Sequence, residues 1–274
     1  VKREFTLTGK DGKKLYACVY EAEQPKGVLC VSHGLGEHGG RYEDCIRVWN
    51  ENGFTVYIHD QRGHGKSIGS PKEKGIARIP DLESDLLTLI DVAKRETGLP
   101  VFLFGHSLGG LIGLYTLLHG QPEIKGAIIT SPWLVLKRKL PGFLPGMLQG
   151  LGKLLPNAAL DNGLAADNLC HDEKVCREYL IDPNNHGKIG LVLFGEASEA
   201  AKWVLDNAKT LSVPLLLCHG DSDPICDVEG SRAFAKNAGV SVREFPGSYH
   251  EIHNEPEHRE TLWKEEIAFM EGLL

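Results

Sequence analysis

The stretch Val101-Phe102-Leu103-Phe104-Gly105-His106-Ser107-Leu108-Gly109-Gly110 limits what this chain can fold into more than any other. Its four leading apolar residues read as a buried strand, and Gly105-His106-Ser107-Leu108-Gly109 reads as a sharp G-x-S-x-G turn. Leu111, Ile112, Leu114, Leu117 and Leu118 follow at helical spacing. A strand, a tight turn and a helix in that order put Ser107 at the tip of the turn, where a hydroxyl can serve as a nucleophile. The pentapeptide also arises by chance in a chain with 32 glycines, so the rest of the sequence must supply the chemistry around it.

The surrounding pattern predicts an α/β fold with a mainly parallel central sheet flanked by helices. Short, continuously apolar runs at 28–31, 54–58, 126–130 and 213–218 suit strands covered on both faces. They alternate with helical patterns at about 41–52, 80–95 and 230–238, the rhythm of βα units. Residues 5–8 and 14–20, joined by Gly9-Lys10-Asp11-Gly12, read as an edge hairpin; 240–245 reads as a last strand and about 256 onward as a closing helix. Between Ser131-Pro132 and Val213-Pro214 the rhythm breaks, with prolines, glycines, scattered leucines and no clear buried strand. Residues 132–212 are therefore expected to form a helical cap inserted into a core of residues 1–131 and 213–274.

Composition narrows the function. The net charge of -7 comes from interspersed acids and bases, and no basic tract exceeds Lys137-Arg138-Lys139, which argues against nucleic acid as a partner. Seven cysteines, an odd number without a C-x-x-C pair, lie mostly in apolar runs and favour a reducing, cytoplasmic setting. No run approaches the ~18 apolar residues of a membrane span, and the N-terminus lacks the apolar core of a secretion signal, so the chain as given is expected to be soluble. Gly65-Lys66-Ser67 resembles the end of a phosphate-binding loop, but the required first glycine falls on Asp60.

A serine nucleophile needs a base to take its proton and a third group to orient that base. His219-Gly220-Asp221-Ser222-Asp223 follows one late strand and Pro246-Gly247-Ser248-Tyr249-His250 the next, so both loops lie on the rim that carries Ser107. Asp221 competes with Asp223 for the acid role, and His253 with His250 for the base. The oxyanion of an acyl-transfer intermediate needs backbone N-H donors; Leu108 supplies one, and Leu35, bracketed by Gly34 and Gly36, is placed to supply another. His250-Glu251-Ile252-His253 lacks the i, i+4 histidine spacing of a zinc helix, so neither metal nor cofactor is expected. Cys226 reads either as a thiol at the pocket rim or as a packed small hydrophobe.

Four motifs occur in order: His33-Gly34-Leu35-Gly36-Glu37-His38 with Arg41-Tyr42; Asp60-x-Arg62-Gly63-His64-Gly65-x-Ser67; Gly105-His106-Ser107-x-Gly109-Gly110; and His219-Gly220-x-x-Asp223 with Tyr249-His250-x-x-His253. Together they resemble the monoacylglycerol lipase and lysophospholipase family. The resemblance implies an α/β-hydrolase core with a helical cap, a small lipid ester as substrate, and a triad of Ser107, Asp223 and His250 with Leu35 and Leu108 as oxyanion donors. It thus favours Asp223 over Asp221. It also implies that Glu37, His253 and the cap residue Tyr179 face the polar glycerol end of the pocket. In the cap, Phe143, Leu144, Met147, Leu148, Leu151, Leu154 and Leu155 form an apolar stripe broken by glycines. The stripe fits a mobile lid over an acyl tunnel, with the neighbouring basic turn touching a lipid surface, and equally a cap helix packed on the core. A short-chain esterase, a peptidase and a non-catalytic ligand receptor are the competing readings for such a fold.

Overall fold

A computed structural model describes residues 1–138 and 141–274 of the chain. The elements are β1 (Lys2–Thr8), β2 (Lys14–Tyr20), β3 (Gly27–Ser32), α1 (Glu43–Glu51), β4 (Phe54–His59), α2 (Ile79–Thr97), β5 (Val101–His106) and α3 (Leu108–Tyr115). After β6 (Gly126–Thr130) come α4 (Leu144–Leu154), β7 (Ala159–Asp161), α5 (Glu173–Ile181), β8 (Lys188–Gly190) and α6 (Leu191–Asn207). The chain closes with β9 (Leu215–Gly220), α7 (Val228–Ala238), β10 (Val242–Phe245) and α8 (Arg259–Glu271).

Eight strands form one sheet in the order β1-β2-β4-β3-β5-β6-β9-β10. β1 and β2 form an antiparallel edge hairpin and β2 pairs antiparallel with β4, while every pairing from β4 to β10 is parallel. The four central strands are buried at every position, which is why their sequences carry no polar alternation. On one face Leu86, Leu89, Leu111, Leu193 and Phe234 bring α2, α3, α6 and α7 into a single core. On the other, Trp49, Ile267 and Met270 pack α1 and α8 against Phe54, Phe102 and Phe104. The parallel strands send the loops after β3, β5, β9 and β10 to one rim.

The segment between β6 and β9 differs from the expectation of a purely helical cap. β7 pairs antiparallel with β8, Leu160 opposite Ile189. Three-residue strands that read Ala-Leu-Asp and Lys-Ile-Gly leave no apolar run to detect. α6 lies against α2, α3 and α7, the place of the crossover helix that two parallel strands such as β6 and β9 require. α4 crosses α6 at close range, where a side chain at Gly152 would meet Val192.

The α4 stripe divides. Leu144 and Leu148 turn inward to a cavity, whereas Phe143 and Leu154 are 70% and 79% exposed and Met147, Leu151 and Leu155 are also exposed. This excludes a helix whose whole apolar side is packed on the core. Of the basic turn, Lys137 pairs with Asp227 at 3.5 Å and Arg138 lines the cavity, while Lys139 lies outside the described residues. No helix among the described residues is long and apolar enough to cross a membrane. All seven cysteines are buried and unbridged.

Candidate active site

Ser107 joins β5 to α3 with φ 54° and ψ -117°, a backbone conformation that residues with a side chain seldom adopt. Neighbouring groups hold it there. Ser107 N-H donates to the Thr130 carbonyl at 3.1 Å, and its own carbonyl accepts from Leu111 and Trp133 at 3.0 Å each. A Cβ at Gly109 would collide with the carbonyl oxygens of Ser32 and His33, so only glycine lets α3 start this close to β3. The turn thus presents Ser107 at the C-terminal end of the sheet and starts α3 at Leu108, whose N-H lies in the unpaired first turn of the helix.

Asp223 and His250 meet in the loops after β9 and β10. His250 Nδ1 donates to Asp223 Oδ2 at 2.7 Å, and Asp223 Oδ1 accepts from the N-H groups of Ile225 at 2.7 Å and Cys226 at 3.0 Å. His219 Nε2 also faces Asp223 Oδ2, at 3.2 Å. Burial alone would raise the Asp223 pKa, but His250 and His219 outweigh it and hold the carboxyl below the usual carboxylate range. For His250, burial favours the neutral ring, yet the charge and hydrogen bond of Asp223, with Glu251 and Glu37 behind it, leave the pKa raised. Asp221 is exposed and accepts instead from Gly247 N-H at 2.7 Å. His253 is buried, stacked on Tyr42 at 5.2 Å and edge-on to His106 at 4.9 Å. His106 in turn bonds Thr130 Oγ1 at 3.0 Å and lies 4.7 Å from the His250 ring.

A cavity of about 360 Å³ opens beside Ser107. Leu35, Trp133, Leu164, Ile189, Leu191 and Phe194 give it a largely apolar wall, closed on the cap side by Leu144 and Leu148. Cys226 also lines it, beside Ser107, and its thiol pKa is pushed well up, first by burial and then by Asp223. Asp223, Cys226 and His250 bring ligand-type atoms within 4.8 Å of one another. The Asp223 oxygens are already occupied by N-H groups, which leaves an ion little to bind.

Glu37, Tyr179 and His253 do not line this cavity. Glu37 is 3% exposed and accepts from Gly34 N-H, Tyr42 Oη at 2.7 Å and Arg41 Nη1. Arg41 also bridges to Glu251 at 2.6 and 2.8 Å and lies 4.9 Å from the centre of the Tyr179 ring. Glu37 is therefore satisfied by protein groups behind the wall, His253 is packed between the Tyr42 and His106 rings with no hydrogen-bond partner at Nδ1 among the described residues, and Tyr179 stands beside the Gly34–Gly36 loop. Sequence reasoning missed the bridging role of Arg41 and Glu251, 210 residues apart, though Arg41 lay within the first motif.

The family described as serine aminopeptidase, S33, matches residues 23–257. A monoacylglycerol lipase of Mycolicibacterium smegmatis is 30% identical over 95% of this chain and 94% of its own length. A phospholipase of Bacillus subtilis is 31% identical over 91% of this chain and 97% of its own. Among solved structures, the monoacylglycerol lipase of Paleococcus ferrophilus superposes with a TM-score of 0.84 at 33% identity, over 93% of this chain and 97% of that one. With an α/β-hydrolase sheet and these relatives spanning nearly its whole length, the chain belongs to the serine aminopeptidase S33 family.

Proposed function

We propose that the chain is a serine hydrolase of lipid esters, acting on monoacylglycerol-type or lysophospholipid-type substrates. The observation that carries the proposal is the apolar cavity that opens at Ser107, on the rim that carries the hydrogen-bonded Asp223–His250 pair. Ser107 Oγ attacks the ester carbonyl carbon as His250 takes its proton, and the N-H groups of Leu35 and Leu108 hold the oxyanion. The bond to the alcohol then breaks and His250 returns the proton to the leaving oxygen. Water, deprotonated by the same histidine, attacks the acyl-enzyme; the bond to Ser107 Oγ breaks, His250 returns the proton to that oxygen, and the fatty acid is released. The acyl chain occupies the cavity, and the alcohol faces the side of Tyr179, with Glu37 and His253 stiffening that wall from behind. Of the expected cap 132–212, α6 belongs with the core helices and residues 132–190 act as the cap, whose exposed Phe143, Met147 and Leu154 rest on the lipid surface that holds the substrate.

The test is kcat/KM for monoacylglycerols, lysophospholipids and p-nitrophenyl esters from C2 to C16, with wild type beside Ser107→Ala. A Ser107-dependent optimum at C8 or longer supports the proposal. An optimum at C2 to C4 makes this a small-ester hydrolase, and cleavage of aminoacyl arylamides in preference to esters makes it a peptidase.

A further inference from the structure

Between α5 and β8 the cap sends residues 182–190 directly across the loop that carries Leu35. Asp182 Oδ2 accepts from His38 Nε2 at 2.8 Å. His38 Nδ1 accepts from Gly40 N-H at 3.1 Å, which puts the ring proton on Nε2 and makes the bond to Asp182 directional. Further on, His186 N-H donates to the Gly36 carbonyl at 2.9 Å, and His186 Nε2 donates to the Gly63 carbonyl at 2.8 Å. His186 Nδ1 accepts from Lys188 N-H at 3.2 Å, so the whole ring is used. Gly36, at φ 76°, faces this crossing so closely that a Cβ there would collide with the His186 carbonyl. The segment then fastens Gly190 N-H to the Gly75 carbonyl at 2.8 Å, and Ile189, Gly190 and Leu191 reach the cavity wall.

One stretch of cap therefore grips the loop on either side of Leu35 and forms part of the cavity. We propose that Asp182 and His186 are positioning residues for the oxyanion site: Asp182 holds the Leu35 N-H through His38, and the His186 ring, fastened to the Gly63 carbonyl, keeps the main-chain N-H of His186 on Gly36, so that seating of the cap sets the rate of acyl transfer. This rests on the reading of Leu35 N-H as an oxyanion donor. Loss of a positioning bond acts on the transition state more than on the bound ester, so kcat falls while KM holds.

The experiment compares Asp182→Ser and His186→Ala with Asp182→Asn and His186→Gln, using p-nitrophenyl acetate and p-nitrophenyl octanoate. Asp182→Ser withdraws the acceptor from His38 while its shorter hydroxyl can still receive the Asn184 N-H that Asp182 Oδ1 now accepts at 2.8 Å, so the turn is kept. The expected result is a fall in kcat of about 10-fold on both esters with KM within about 2-fold, part of the loss that follows removal of an oxyanion donor. The Asn and Gln variants should recover most of it, and thermal midpoints should stay near wild type. Unchanged kcat, or a change confined to KM for the octanoate, would overturn the proposal by making the segment a wall and nothing more. Leu35→Pro, which deletes the N-H itself, separates the two readings. Full activity in that variant removes the donor role of Leu35; a loss of about 100-fold there, beside unaffected cap variants, overturns only the positioning role.

Discussion

Asp223 Oδ2 lies 2.7 Å from His250 Nδ1 and 3.2 Å from His219 Nε2, so one carboxylate oxygen is shared between two imidazoles. Its negative charge is what keeps the His250 pKa raised against the effect of burial. In the proposed mechanism His250 accepts a proton only when neutral, so kcat/KM should rise with pH through a midpoint above the ordinary histidine value of about 6.5. Asp223→Asn removes the largest raising influence, leaving burial opposed only by Glu251 and Glu37, so the acidic limb should move to lower pH while kcat falls by ~10⁴. A pH profile of both proteins between 5 and 9 checks this, and a limb that does not move would exclude Asp223 as the partner of the base.

Arg41 stands between two buried carboxylates, Glu37 and Glu251. Burial would raise the Glu251 pKa, but Arg41 overrides it and the value falls to about 2. The folded pKa is depressed, so this pair stabilises the protein above the unfolded carboxyl value of about 4.3 and loses that effect as pH falls toward 2. Arg41→Met should destabilise by about 3–5 kcal/mol at pH 7, because two uncompensated carboxylates remain. Urea unfolding at pH 7 and pH 3 should show the gap narrowing at the lower pH; an equal gap at both would contradict the assignment.

Glu266 is fully buried in α8, receives Trp49 Nε1-H at 2.8 Å, and has its pKa pushed up to about 8 by burial. Its folded pKa exceeds the unfolded value of about 4.3, so the stability it supports is complete below that value and is lost as pH rises through 8. Glu266→Gln keeps an acceptor for Trp49 and cannot ionise. Its unfolding midpoint should overtake wild type between pH 7 and 9, whereas parallel curves from pH 5 to 9 would mean that Glu266 does not titrate in the fold.

The outward half of the α4 stripe should matter only when substrate is presented on a lipid surface. Replacing Phe143 and Leu154 with serine removes two side chains that are 70% and 79% exposed and should not disturb the cavity. Hydrolysis of monoacylglycerol in vesicles should fall by at least about 10-fold and that of a dissolved short ester should not, since burial in lipid of even one large apolar side chain contributes roughly 1.5–3 kcal/mol. Equal effects on both substrates would place these residues in the cavity's function instead.

The core was legible because its signals are local. The runs at β3, β4, β5 and β6 are apolar at nearly every position since both faces are covered, and the spacing around Ser107 encodes its turn without help from distant residues. Asp223 and Asp221 could not be separated by local pattern, because what distinguishes them is which carboxylate meets His250 across two loops. The Arg41 bridge between Glu37 and Glu251 was hidden for the same reason: isolated charges in sequence read as solvated until the fold brings them together. In the cap, Ala159–Asp161 and Lys188–Gly190 are too short and polar to show strand alternation, yet their pairing turns Ile189 and Gly190 toward the cavity.

The dihedral angles of Ser107 have a consequence for how this sequence would evolve. A side-chain-bearing residue held at φ 54°, ψ -117° sacrifices about 1–3 kcal/mol that glycine would largely restore. Ser107→Gly should therefore melt later than wild type while hydrolysing nothing. A search that selects heat-resistant variants without screening turnover would drift toward that replacement, so thermal tolerance and catalysis compete for the same position of this chain.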